Sequence, residues 1–112
     1  MAWPTDGAIA QALTALRERL EERFRVERMI LFGSRARGDH LLSSDVDVII
    51  VSPDFADLPF LQRIREVAVL WDGDVPLEPV CYTPEEFARK RLGIGIARRA
   101  AEEGREVTAS RG

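Results

Sequence analysis

The sequence predicts a small α+β (mixed α/β) domain in which helices flank one mixed β-sheet, and three observations carry that reading. Ile9, Leu13, Leu16, Leu20 and Phe24 recur at steps of four and three, which draws an apolar stripe down one helix. Two short apolar runs, 26–32 and 45–51, bracket a polar loop that opens on Gly33-Ser34. Phe60, Ile64, Val67 and Trp71 then repeat the helical spacing. With 112 residues, the whole of 1–112 reads as a single domain with one core.

The elements follow in order. Asp6 is placed to cap the first helix. The run from Val26 to Phe32 stops at Gly33, as a strand ending in a turn does. Ser34 to Ser44 is polar, with Gly38-Asp39 as a turn signal and room for one helical turn. Asp45 to Val51 is the second strand, ended by Ser52-Pro53. A second long helix is expected from Pro59 to Trp71, with Asp57 and Pro59 as start signals. Val75 to Tyr82 reads as a third strand, which Pro76 and Pro79 push to a sheet edge or a bulge, because proline cannot donate to a ladder. Thr83-Pro84-Glu85-Glu86 is a helix start with a capping box, so its glutamates read as capping groups. Gly93 and Gly95 interrupt this helical region, a helix of about ten residues then ends at Gly104, and 105–112 adds a short edge strand before it frays.

A net charge of −3 gives no electrostatic basis for wholesale binding to nucleic acid or membrane. No apolar stretch approaches the roughly 20 residues of a membrane span, and the N-terminus has no basic-then-apolar leader pattern. Cys81 is the only cysteine, so no internal disulfide forms, and a cytoplasmic location is expected. Cys81 reads as a small buried hydrophobe, Trp3 and Trp71 as packing residues, and His40, the only histidine, as a surface residue. Fifteen arginines stand against Lys90 alone, a bias of genome or heat adaptation with no bearing on activity.

The chemistry concentrates in 32–51, FGSRARGDHLLSSDVDVIIV. Residues two apart on a strand share a face, so Asp45 and Asp47 present paired carboxylates. Like charges this close raise each other's pKa unless a cation sits between them, and hard divalent cations such as magnesium favour carboxylate oxygens together with phosphates. Gly33 allows a tight turn, the Ser34 hydroxyl and nearby amides can face an anion, and Arg35 or Arg37 can add charge-assisted bonds to phosphate. The glycine spacing and following lysine of a P-loop are absent.

Gly33-Ser34, ten intervening residues, then Asp45-x-Asp47 resembles the signature of the DNA polymerase β-like nucleotidyltransferase superfamily, and the chain length resembles its minimal nucleotidyltransferases. The resemblance implies a third carboxylate on a neighbouring strand, which by position is Glu78, with Asp74 in the preceding turn as a weaker substitute. The family more often has aspartate there, with no proline after it, whereas this chain has Glu78-Pro79. It also implies ATP as substrate and two magnesium ions roughly 3.5–4 Å apart, held by Asp45, Asp47 and Glu78, with Ser34 positioning the outer phosphates. No Ser-His or Cys-His nucleophile set is needed.

Minimal members commonly act as antitoxins beside a HEPN-type toxin, some by attaching AMP to a partner tyrosine, so a small helical HEPN-type partner is expected. The alternative is a non-catalytic binding module that neutralises the same partner by contact, favoured only by the Glu78-Pro79 departure. A small-molecule nucleotidyltransferase normally carries further helices, and a nucleic-acid acceptor such as a transfer RNA end is the less favoured reading.

Overall fold

The structure, a computed structural model, describes residues 6–38 and 45–108. Its elements are α1 (Asp6–Glu21), β1 (Arg28–Phe32), the single-turn α2 (Ser34–Arg37), β2 (Val46–Val51), a 3₁₀ turn (Pro53–Asp57), α3 (Phe60–Ala68), β3 (Leu77–Tyr82), α4 (Pro84–Lys90), α5 (Ile96–Glu103) and β4 (Arg105–Glu106). This is the mixed α+β architecture expected from the sequence. The strand order is β3-β2-β1-β4, with β1 antiparallel to β2 and β4, and β2 parallel to β3. A parallel pair needs a crossover connection, which the 3₁₀ turn and α3 supply.

β2 lies between two strands and two helical layers, which explains its run of valine and isoleucine. Val46, Val48 and Ile50 join Leu13, Leu16 and Leu20 of α1 and Val67 of α3 in one core. Ile49 and Val51 face the other way and join Ile30, Phe32, Tyr82, Phe87 of α4 and Ala97 and Ala100 of α5. Of the six residues of β2, only Asp47 is not fully buried. β3 is an edge strand, the place its prolines predict, and Pro79 is accommodated without a bulge in the register.

The helices end sooner than the stripes. α1 stops at Glu21, yet Phe24 still packs on the core from the following turn, its ring 5.2 Å from that of Phe55. α3 stops at Ala68, while Trp71 packs on the same core and its indole Nε1 donates to the Val75 carbonyl at 2.8 Å. The 3₁₀ turn was not expected; the Ser52 hydroxyl caps it by accepting from the Asp54 N–H at 3.1 Å. The cap expected of Asp6 concerns a side chain outside the described residues, as do Trp3, Asp39 and His40.

α4 starts as predicted: the Thr83 hydroxyl accepts from the Glu86 N–H at 3.2 Å and the Glu86 carboxylate accepts from the Thr83 N–H at 2.8 Å. Glu86 has a second partner. Arg63, only 6% exposed, donates to Glu86 at 2.7 Å, to the Leu58 carbonyl at 2.9 Å and to the Cys81 carbonyl at 3.2 Å, tying α3, β3 and α4 together. The Arg63 hydrogen bond holds the Glu86 carboxyl below its ordinary value. A carboxyl depressed on folding contributes stability above its unfolded pKa, near 4.5, and loses it as pH falls through the lower folded value. Arg63→Ala is expected to cost about 2–3 kcal/mol, because a charged donor to buried carbonyls is lost. Urea melts should also show that acid destabilises the variant less than the parent.

Burial pushes the Cys81 thiol up to about 12 and leaves it without exposure. It should resist maleimide in the native protein and react at once in denaturant.

Candidate active site

The carboxylates meet because of strand register. Phe32 pairs with Asp47 across β1 and β2, and Asp47 pairs with Glu78 across β2 and β3. Asp47, Ile49 and Val51 alternate onto one face of the sheet, and Asp45, just before β2, continues that row. Farther along this face, Ile49, Val51 and Tyr82 are covered by α4 and α5. At the start of β2 and β3 Asp45 and Glu78 are exposed and Asp47 is half-buried.

Gly33 fits this corner for two reasons. Its φ is +77°, a conformation L side chains rarely adopt, and a Cβ there would stand 2.8 Å from Asp47 Oδ2. The strand end must therefore be glycine for the backbone to turn into α2 and for the carboxylate to lie against it. The Ala36 N–H donates back to the Gly33 carbonyl at 3.1 Å and closes the turn.

Glu78 is hydrogen-bonded to Asp47 and then to Asp45, and those bonds, with the Asp47 charge behind them, hold its carboxyl above the ordinary value. Three carboxylates within reach of one another form a hard-oxygen donor set of the kind magnesium prefers. Among the described residues no three such side chains stand as a ready-made metal cage. Holding a cation would therefore require these side chains to rearrange around it. The donor chemistry fits the metal.

The arginines divide. Arg35 is 6% exposed and lines a cavity of about 300 Å³ with Ile9, Leu13 and Thr14 of α1, Leu31 of β1 and Val107 beyond β4. Leu31 packs on the α1 core, so this cavity lies across the sheet from Asp47. Ser34 and Arg37 have their backbones in α2, directly after Gly33, and their side chains are outside the described residues. Asp74 is exposed in the turn before β3 and outside the paired register. The structure thus brings Gly33, Asp45, Asp47 and Glu78 to one corner and turns Arg35 away from it. A helix of one turn has no periodicity from which Arg35's direction could have been read.

Residues 13–105 match the sequence model of the nucleotidyltransferase domain. MJ0604 of Methanocaldococcus jannaschii, named a protein adenylyltransferase, is 33% identical over 88% of this chain and 92% of its own length. The protein adenylyltransferase MntA of Thermococcus cleftensis is 39% identical over 60% of this chain, and the shared stretch spans 65% of that protein. Among solved structures, a nucleotidyltransferase from Sulfolobus solfataricus superposes with a TM-score of 0.60 at 25% identity, covering 80% of this chain and 84% of that one. A toxin–antitoxin structure with AMP-PNP superposes at 0.51 and 14% identity over 96% of this chain and 75% of that one, a likeness of fold.

Proposed function

From the premise that the chain belongs to the nucleotidyltransferase domain family, we propose that it is a magnesium-dependent protein adenylyltransferase that moves AMP from ATP to a tyrosine hydroxyl of a HEPN-type toxin and so serves as its antitoxin. The observation that carries the reading is the register that sets Glu78 beside Asp47, with Gly33 pressed against the same carboxylate. The names of the relatives support protein as the acceptor, and the toxin–antitoxin likeness supports the partner class.

Asp45, Asp47 and Glu78 would hold the magnesium ions, which when bound supply charge neutralisation of the triphosphate and a lowered pKa for the acceptor hydroxyl. The chain's own residues do the rest. Gly33 lets the backbone turn at the strand end with the Asp47 carboxylate against it, and Ser34 and Arg37 on the turn after it would hold the outer phosphates. Arg35 is buried on the α1 side of the sheet. The acceptor oxygen forms a bond to the α-phosphorus, the bond to the bridging oxygen breaks, and pyrophosphate leaves while the hydroxyl proton passes to the carboxylates or water.

Three carboxylates brought to one corner by the strand register support the enzyme reading over a module acting by contact alone, the alternative that the Glu78-Pro79 departure favours. Glu78→Gln tests the point. With ATP labelled on the α-phosphate and a co-expressed HEPN partner, transfer to the partner should fall by about a hundredfold, with the label on tyrosine by mass spectrometry. Unchanged transfer in the variant would remove Glu78 from the site, and no transfer by the parent would revive the contact reading.

A further inference from the structure

Residues 89–99 differ from the rest of the molecule. Arg89, Lys90, Arg91, Arg98 and Arg99 stand there without one acidic residue, in a chain that is acidic overall. Among them Leu92 is 83% exposed, Ile94 99% and Ile96 41%. Isolated exposed aliphatic side chains are ordinary, but three in five residues inside a cationic rim form a patch. Ile94 projects between two glycines, and Gly95, at φ +137°, shapes the loop that carries it. The patch runs toward a cleft of about 230 Å³ in which Arg89 and Lys90 meet Phe60 of α3, Tyr82 of β3 and Glu86 of α4, whose carboxylate is already paired with Arg63.

We propose that this loop and the end of α4 form the docking surface for a protein partner whose matching face is acidic around an apolar centre. The charge argues for an acidic occupant, and the exposed Leu92, Ile94 and Ile96 at the centre of the patch argue for protein over nucleic acid, because aliphatic side chains offer bases no stacking surface. A second copy of the chain is disfavoured, because a twofold contact would set Arg89, Lys90, Arg91 and Arg99 against their own counterparts, Arg98 being paired with Glu102 at 3.5 Å. The partner role rests on the adenylyltransferase reading. Tyr82 pairs with Val51 while Glu78 pairs with Asp47, four residues apart, so the cleft lies about 13 Å along the strand from the carboxylates. The partner is therefore gripped by one part of its surface while another part brings the hydroxyl to the site.

The test is fluorescence anisotropy with an amphipathic helical peptide bearing leucines on one face and glutamates along both flanks, beside its lysine counterpart, a single-stranded RNA and anionic vesicles. The parent should bind the glutamate peptide at least about tenfold more tightly than the lysine peptide, and Ile94→Asp and Arg89→Glu/Arg91→Glu should each lose about tenfold. All of these positions are exposed, so folding should be intact, and ATP binding by the variants should equal the parent's. Failure to bind the glutamate peptide, or binding indifferent to Ile94, overturns the proposal, as does tighter binding to RNA or vesicles that depends on the arginines alone. Absence of ATP binding in the parent, with peptide binding intact, would count against the catalytic reading and not against this surface.

Discussion

Asp47→Ala should abolish AMP transfer and leave the fold standing. Asp47 touches Glu78 through β2 and β3 and lies against Gly33 at the end of β1, so its carboxylate is the one group that all three strands of the corner share. Losing a carboxylate that holds a catalytic cation removes several kcal/mol of transition-state stabilisation, which corresponds to a rate loss on the order of a thousandfold or more. Stability should move the other way, because Asp45, Asp47 and Glu78 crowd like charges together. In magnesium-free buffer the variant is expected to melt at or slightly above the parent's temperature. Early melting would mean that Asp47 braces the sheet, and retained transfer would mean that the chemistry lies elsewhere.

Gly33→Ala should damage both properties at once. A side chain at φ +77° costs about 1–2 kcal/mol, and its Cβ would meet Asp47 Oδ2 at 2.8 Å. Relief requires the carboxylate to swing away, which spoils the donor set. Transfer should fall by about a hundredfold with a modest drop in melting temperature, a pattern that separates this variant from Asp47→Ala. Gly38 provides the control: its φ is also positive, but nothing stands within 4 Å of the added Cβ. Gly38→Ala should therefore carry the strain and spare the activity.

The fold was largely legible because its signals are local. Alternating apolar faces, the Thr83-Glu86 capping box and the prolines of an edge strand are each written within a few residues. The stripes overran the helices because Phe24 and Trp71 keep their places in the core from turns, where spacing no longer reports backbone. Ser52-Pro53-Asp54 carries the signal of the 3₁₀ turn, a hydroxyl cap followed by proline, in the same residues that end the strand. Arg63 was legible too: it lies three residues after Phe60 and four before Val67, on the buried side of α3.

The site divides in the same way. Gly33, Asp45 and Asp47 are a local motif and could be picked out from spacing. That Glu78 falls opposite Asp47 is a matter of parallel register between strands joined by a long crossover, and no local pattern encodes it; it came only from the family resemblance. Arg35 is basic and near Ser34, which is all that the local sequence says of it, and its burial on the α1 side of the sheet is a tertiary property. The patch at Leu92, Ile94 and Ile96 is not legible in the spacing, because glycines 93 and 95 mark a break in the helix and carry no signal of what the loop displays.

We propose that the corner formed by Gly33, Asp45, Asp47 and Glu78 is a metal-dependent nucleotide site. Titration calorimetry of ATP into the protein, with and without magnesium, and for the parent beside Asp45→Ala/Asp47→Ala, tests it most directly. Binding that requires both magnesium and the aspartates is the predicted result, and ATP binding that persists undiminished in the double variant would contradict it.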